Sequence, residues 1–272
     1  MAGWRGYYIN LDRSVERRAA MEGRIAAAGL AQRYARFPAA DGAAVGPVGR
    51  LTPSEHGCYR SHLELIEKHA AGGEFLHVLE DDATFSARTG PELQRIVFSQ
   101  SFADADLIYL SLILAPDAET LRRLKLAMET FRTTGKVVLI DLRGFPFSGM
   151  SSYLVNPRSA GRLAASMRAA LESGSPLPSD LFLREEIYAG RLRAVCVFPF
   201  LTALDFSPST IQGESPTLRV AHELSASFFV DADHAAGLQR IAALTAGDPP
   251  DPHLDLLAAA QRFRMSKHWQ SF

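Results

Sequence analysis

Three carboxylates stand side by side in HVLEDDATF, residues 77–85: Glu80, Asp81 and Asp82. Ionised carboxylates repel one another, and burying an unpaired charge is costly, so the cluster must face something that compensates it. Hard oxygen ligands suit Mg²⁺ or Mn²⁺ better than a thiolate-seeking metal, and such ions bridge one or two carboxylates to substrate phosphates. A metal diphosphate would therefore balance the cluster. The alternative is structural: a turn or helix N-terminus at which Asp81 and Asp82 cap backbone N–H groups. The cluster alone leaves both readings open.

The acids must be positioned by regular elements. HVL ahead of EDD puts them at the carboxyl end of a strand, where open α/β sheets bind ligands. Short apolar runs rich in β-branched and aromatic residues also occur at Tyr7 to Leu11, Leu107 to Leu112, Val137 to Leu142, Tyr153 to Val155 and Ala194 to Phe198, alongside Phe75 to Leu79 itself. Helical patterns lie between most of them, which predicts an α/β sheet covered by helices.

Ser14 is placed to cap a helix running through Ile25 to a stop at Gly29, and Asn156-Pro157 reads as an N-cap with proline at the first helical position. The clearest helix is LTPSEHGCYRSHLELIEKHAAGG. Thr52, Pro53 and Glu55 form a capping box, Tyr59, Leu63, Ile66 and Ala70 give an apolar stripe, and Gly72-Gly73 ends it. Residues 115–136 are charged, with helical spacing at Leu121, Leu124 and Met128, and read as a surface helix or an insertion.

The 272-residue chain is 47% hydrophobic, enough for a real core, and 29 Lys+Arg against 30 Asp+Glu leaves a net charge of -1. Nothing in that balance points to nucleic acid. The start, MAGWRGYYINLDRS, carries no leader-like apolar core, and no stretch approaches the ~20 apolar residues of a membrane span, so a cytoplasmic location is expected. Cys58 and Cys196 make neither a disulfide framework nor a metal knuckle, and Cys58 reads as a small core residue.

Five stretches, YYINLDRSVERR, FPAADG, LTPSEHGCYRSHLELIEK, VLEDDATF and SSYLVNPRSAGRLA with PLPSDLFL, resemble glycosyltransferase family 25 in their order, over roughly residues 6–212. The family includes bacterial lipopolysaccharide and lipooligosaccharide galactosyltransferases and the collagen galactosyltransferases. The resemblance implies a GT-A type, Rossmann-like nucleotide-sugar domain with Mn²⁺ (or Mg²⁺) on the donor diphosphate. By that analogy Asp82 is the direct metal ligand, Glu80 contacts the metal through water or the ribose, and Asp81 completes the donor-side triplet. Asn10, Leu11 and Arg13 would lie near the nucleotide, with Asp41 contacting uracil or ribose. Arg17 and Arg18 read instead as a solvated helix face, with phosphate contact the alternative. Glu55, Ser61 and His62 become donor-site candidates, although Glu55 by itself reads as the capping-box partner.

An acceptor hydroxyl must lose a proton as it attacks the anomeric carbon, and a positioned carboxylate serves as base. Asp180, in PSDLFLREE at the start of a helix, is the candidate; a plain first-turn acid facing the helix dipole is the alternative. Gly149, Ser151, Ser152 and Tyr153 read as acceptor-side residues. The expected activity is transfer of a hexose, galactose by resemblance, from a UDP-sugar to a glycan or lipid-linked glycan acceptor such as a lipopolysaccharide core, with inversion. A Mg²⁺-dependent nucleotidyl or phosphoryl transferase, and a nucleotide-sugar or glycan binder without catalysis, are the competing readings. The expected organisation is a catalytic domain over residues 1–215 and a C-terminal helical extension over 216–272. The last amphipathic segment, LDLLAAAQRFRMSKHW, could touch an anionic inner membrane or dock on its own domain.

Overall fold

Phe75–Glu80 alternates its side chains between two cores: Phe75 and Leu79 enter one, Leu76 and Val78 the other. A strand buried on both faces belongs in the middle of a sheet with helices on each side. The computed structural model describes residues 3–114, 118–205, 216–232 and 239. In chain order it runs β1 (Trp4–Asn10), α1 (Val15–Ala27), β2 (Tyr34–Pro38), α2 (Gly42–Val45), α3 (Pro53–His69), β3 (Phe75–Glu80), β4 (Ala83–Phe85), α4 (Thr89–Phe98), β5 (Leu107–Tyr109) and β6 (Ile113–Leu114). It continues through α5 (Ala118–Thr134), β7 (Val138–Asp141), β8 (Phe147–Ser148), β9 (Ser152–Val155), α6 (Pro157–Glu172), α7 (Ser179–Tyr188), β10 (Ala194–Phe198), β11 (Thr202–Leu204) and α8 (Pro216–Ser227).

Seven strands form the central sheet in the order β2-β1-β3-β9-β5-β10-β7. β1 is parallel to both β2 and β3, and β5 to β10, whereas β9 and β7 run against their neighbours. This is the α/β class expected from the alternating runs. The register sets Ile9 beside Glu80, so β1 and β3 finish together at one edge. One core holds Met21 and Ile25 of α1 and Leu93, Ile96 and Val97 of α4. The other holds Tyr59, Leu63 and Ile66 of α3, Leu163 and Met167 of α6, and Leu183 and Ile187 of α7.

The capping box at Thr52 and Glu55 is present, with Pro53 opening α3, and Asn156 caps α6 by accepting from the Arg158 N–H at 3.0 Å. Ser14 precedes α1 without a side-chain cap bond. The charged segment after residue 117 is an amphipathic helix that belongs to the fold: α5 buries Leu124 and Met128 in the same core as α3. Leu224 and Phe228, in and just after α8, join that core too. The amphipathic segment at residues 254–269 and the GDPPDP stretch lie outside the described residues. No helix among the described residues is long and apolar enough to cross a membrane.

Candidate functional site

A cleft of about 400 Å³ opens at the carboxyl ends of β1 and β3, a volume in the range of small-molecule sites. Asn10, Leu11 and Arg13 line it from the end of β1, Ala40 and Gly42 from the loop after β2, Cys58, Ser61 and His62 from α3, and Glu80, Asp81 and Asp82 from the end of β3. The wall between that loop and α3 depends on two glycines. A Cβ on Gly57 would lie 2.7 Å from the Ala40 carbonyl oxygen and 2.8 Å from the Gly42 nitrogen, and one on Gly42 would lie 2.4 Å from the Pro53 carbonyl oxygen. Ser61 pins the same contact: its Oγ donates to the Gly57 carbonyl at 2.6 Å and accepts from the Ala40 N–H at 2.9 Å.

The acid triplet meets a cation supplied by the chain itself. Arg17 Nε donates to Asp81 Oδ1 at 2.8 Å, and Arg17 Nη2 donates both to that oxygen and, at 3.1 Å, to Asp82 Oδ2. Asn10 Nδ2 donates to the other Asp81 oxygen at 2.6 Å. Arg17 is therefore part of the cleft, against the solvated-face expectation; its side chain is 23% exposed and lies on the face of α1 turned toward the β3–β4 turn. Arg24, two turns further along α1, donates to the Ala83 carbonyl at 3.2 Å and pairs with Asp205, whose own N–H donates to the Asp82 carbonyl at 2.7 Å. These bonds hold the turn that carries the acids.

One guanidinium does not neutralise three carboxylates. With all three ionised, as a bound cation would hold them, three negative charges less the positive charge of Arg17 leave an excess of two, the charge of one divalent cation. Burial first, then the neighbouring Glu80 and Asp81 carboxylates, push Asp82 up to about 7, with Arg17 pulling the other way. Asp82 Oδ1 is buried and has no hydrogen-bond partner among the described residues. An unsatisfied carboxylate oxygen in an over-charged acidic cleft is the chemistry of a hard divalent cation site, so the residues fit the metal that the resemblance implies.

On the α3 wall, His62 is 1% exposed yet has one ring nitrogen at the cleft: Nε2 lies 3.4 Å from Glu80 Oε1 and Nδ1 lies 2.9 Å from the Tyr153 hydroxyl. It is thus a satisfied buried imidazole and a cleft residue at once. Cys58 Sγ lies 4.0 Å from the same Glu80 oxygen, and burial, then Glu80, push its thiol up. Cys58 lines the cleft instead of filling the core as expected.

Asp180 sits in the first turn of α7 and its Oδ2 accepts the Gly149 N–H at 3.0 Å. Gly149 has φ +86°, a conformation that favours glycine, so its requirement is met by backbone geometry. Asp180 is not among the residues that line the cleft, and its charge adds only a lesser upward push on the Cys58 thiol.

The structure thus brings together Asn10, Leu11, Arg13, Ser61, His62, Glu80, Asp81 and Asp82 around one cleft. It sets Glu55 apart, with Oε2 accepting the Thr52 N–H at 2.8 Å in the capping box. Asp41 caps α2 by accepting from Ala43 and pairs with the exposed Arg13 at the cleft margin. Tyr153 and Ser152 are fully buried in β9; a strand between β3 and β5 is covered on both faces, so Tyr153 supports His62 from the core and presents no acceptor surface. Ser151 is buried with its Oγ 3.0 Å from Ser111 Oγ, and its carbonyl accepts the Glu80 N–H at 2.9 Å. Residues that the sequence reading set aside, Arg17 and Cys58, had a signal: Arg17 lies three residues beyond the expected cap Ser14, and Cys58 lies one helical turn before His62.

A family model described as "Glycosyltransferase family 25 (LPS biosynthesis protein)" matches residues 46–183, half of the chain. That span contains α3, the acid triplet and Asp180, while Asn10, Arg13 and Arg17 precede it. Among curated proteins none matches. Among solved structures, a Bacillus anthracis protein named after glucose-1-phosphate thymidylyltransferases and crystallised with sucrose is similar over 92% of this chain and 79% of its own, at 9% identity and a TM-score of 0.35. A likeness of that size carries no weight for the site.

Proposed function

Because the chain belongs to glycosyltransferase family 25, we propose that its cleft binds a UDP-sugar, UDP-galactose first, and passes the hexose to a glycan acceptor of the lipopolysaccharide-core type. Membership makes it a glycosyltransferase; donor, metal and acceptor are the finer reading. The observation that carries it is the orphaned Asp82 Oδ1 within an acid cluster that a single guanidinium faces, at the joint carboxyl end of β1 and β3. Asp82 and Glu80 would hold Mn²⁺ or Mg²⁺ there, with Asp81 kept in place by Asn10 and Arg17. The ion, when bound, supplies Lewis-acid stabilisation of the diphosphate leaving group.

The chain's own residues do the rest. Arg17, which lines the same cleft, would recognise a phosphate there as it recognises the carboxylates, since a guanidinium meets both groups by the same paired donors. Asp180 accepts the proton of the acceptor hydroxyl as that oxygen bonds to the anomeric carbon and the bond from that carbon to the diphosphate breaks, releasing UDP. A single base on the face opposite the leaving group corresponds to inversion. The Gly149 N–H fixes one Asp180 oxygen, which aims the carboxylate before substrate arrives.

The test is slow hydrolysis of a panel of UDP-sugars by the full chain with and without Mn²⁺. UDP release that requires Mn²⁺ is expected, fastest with the true donor. Release of UMP or pyrophosphate would instead mark a phosphoryl or nucleotidyl transferase, and tight binding without turnover would mark a binder.

A further inference from the structure

Cys58 and His62 occupy one face of α3 a turn apart, and Glu80 meets both across the cleft. The ligand atoms of these three side chains, Sγ, a ring nitrogen and a carboxylate oxygen, lie within 4.8 Å of one another. From this geometry we infer that the inner wall of the cleft is a second metal site, built for a thiophilic divalent cation of the zinc class and sharing only Glu80 with the hard-cation site centred on Asp82.

The spacing is near that of a tetrahedral zinc site. With Zn–N and Zn–O bonds of about 2.1 Å and Zn–S of about 2.3 Å, the nitrogen–oxygen edge of a tetrahedron is about 3.4 Å and the sulfur–oxygen edge about 3.6 Å. His62 Nε2 and Glu80 Oε1 stand 3.4 Å apart, and Cys58 Sγ stands 4.0 Å from the same oxygen. The nitrogen–oxygen edge therefore fits as it stands, the sulfur–oxygen edge is about 0.4 Å longer than that ideal, and the sulfur–nitrogen edge lies within 4.8 Å.

The surroundings match what metal-ligating histidines have. His62 Nδ1 lies 2.9 Å from the Tyr153 hydroxyl, and that phenol is buried in β9. When Nδ1 carries the proton and donates it to the phenol oxygen, Nε2 turns its lone pair to the cleft, the arrangement by which an outer partner fixes tautomer and ring orientation. Three protein ligands facing an open cleft leave the fourth position of the ion free, unlike the closed sites that only hold a fold together. Sulfur decides the metal: oxygen-seeking Mn²⁺ and Mg²⁺ gain little from a thiolate, whereas zinc and cobalt gain much. Binding exchanges the thiol proton for a metal–sulfur bond and releases that proton to solvent. Because Glu80 serves both sites, an ion here draws that carboxylate away from the hard-cation site.

Cobalt titration of the full chain, without nucleotide, tests the site apart from any reading of the cleft as a donor pocket. The expected result is a thiolate-to-cobalt charge-transfer band, displaced by equimolar zinc, lost in Cys58→Ser, and retained in Cys196→Ser and Asp82→Asn. Tyr153→Phe should bind about tenfold to a hundredfold more weakly, since it removes only the outer partner of His62. In wild-type protein, zinc should also shield Cys58 from alkylation, read by mass spectrometry, which needs no variant to fold. Cobalt binding without the thiolate band, a band that survives Cys58→Ser, or alkylation of Cys58 at the same rate with and without zinc would overturn the assignment.

Discussion

Arg17 Nη2 lies 3.1 Å from Asp82 Oδ2 while donating to Asp81 Oδ1 as well, so a single guanidinium bridges two of the three clustered acids. The relationship answers in part what compensates the triplet: an arginine of the helix that leaves β1. It also sets that arginine in competition with any metal ion for Asp82.

Replacing Arg17 with alanine should therefore do two opposite things. Partly buried carboxylates lose a charged partner, which should lower unfolding stability by about 2 kcal/mol in urea titrations. Mn²⁺ measured calorimetrically without nucleotide should bind more tightly, because its competitor is gone. Unchanged or weaker Mn²⁺ binding would show that Arg17 does not hold the metal's place.

Gly57→Ala tests the cleft wall. Its new methyl would press on backbone atoms of residues 40 and 42 at 2.7 and 2.8 Å, neither of which is a flexible side-chain end. A loss of about 1–3 kcal/mol is expected from such overpacking, together with weaker UDP binding as the loop after β2 is pushed off α3. Wild-type affinity and stability would mean that the wall yields freely.

The pH dependence of stability has a clear contributor in His77. It is fully buried between the Tyr34 hydroxyl at 2.7 Å and Ser152 Oγ at 3.0 Å, and burial pushes it down to about 3. An unfolded histidine titrates near 6.5, so between about 6.5 and about 3 the unfolded chain binds a proton that the folded chain refuses. Stability should fall as pH drops through that window, by up to about 1.4 kcal/mol per pH unit from this residue, and the contribution vanishes above it. Denaturant titrations of His77→Gln should show a flatter dependence than wild type over the same window; equal slopes would contradict the assignment.

Asp180→Asn keeps the shape of the side chain and can still accept from the Gly149 N–H, but it cannot take a proton. Donor hydrolysis and transfer should fall by about 10² to 10⁴ while UDP affinity stays near wild type. Transfer at the wild-type rate would move the base elsewhere.

Much of this was legible in the chain. Buried central strands announce themselves as unbroken apolar runs, and β3 and β10 were read nearly to the residue. The capping box of α3 is a local signal that tertiary packing did not override. β2 was missed because it is an edge strand whose YARFP mixes exposed and buried positions, and β4, β6, β8 and β11 are two or three residues long, too short for any period. The cleft acids were legible as chemistry, but their partner was not: Arg17 on a polar helix looks like any solvated arginine until the β3–β4 turn is seen against it. Tyr153 was placed on the acceptor side because sequence cannot tell that β9 lies between two other strands.

The central claim is that Asp82 anchors a divalent ion shared with a nucleotide diphosphate. Thermal unfolding of wild type and Asp82→Ala with UDP, in the presence and absence of Mn²⁺, measures it most directly. A Mn²⁺-dependent rise in melting temperature with UDP is predicted for the wild type and should be missing from Asp82→Ala. An equal rise in both proteins would contradict it.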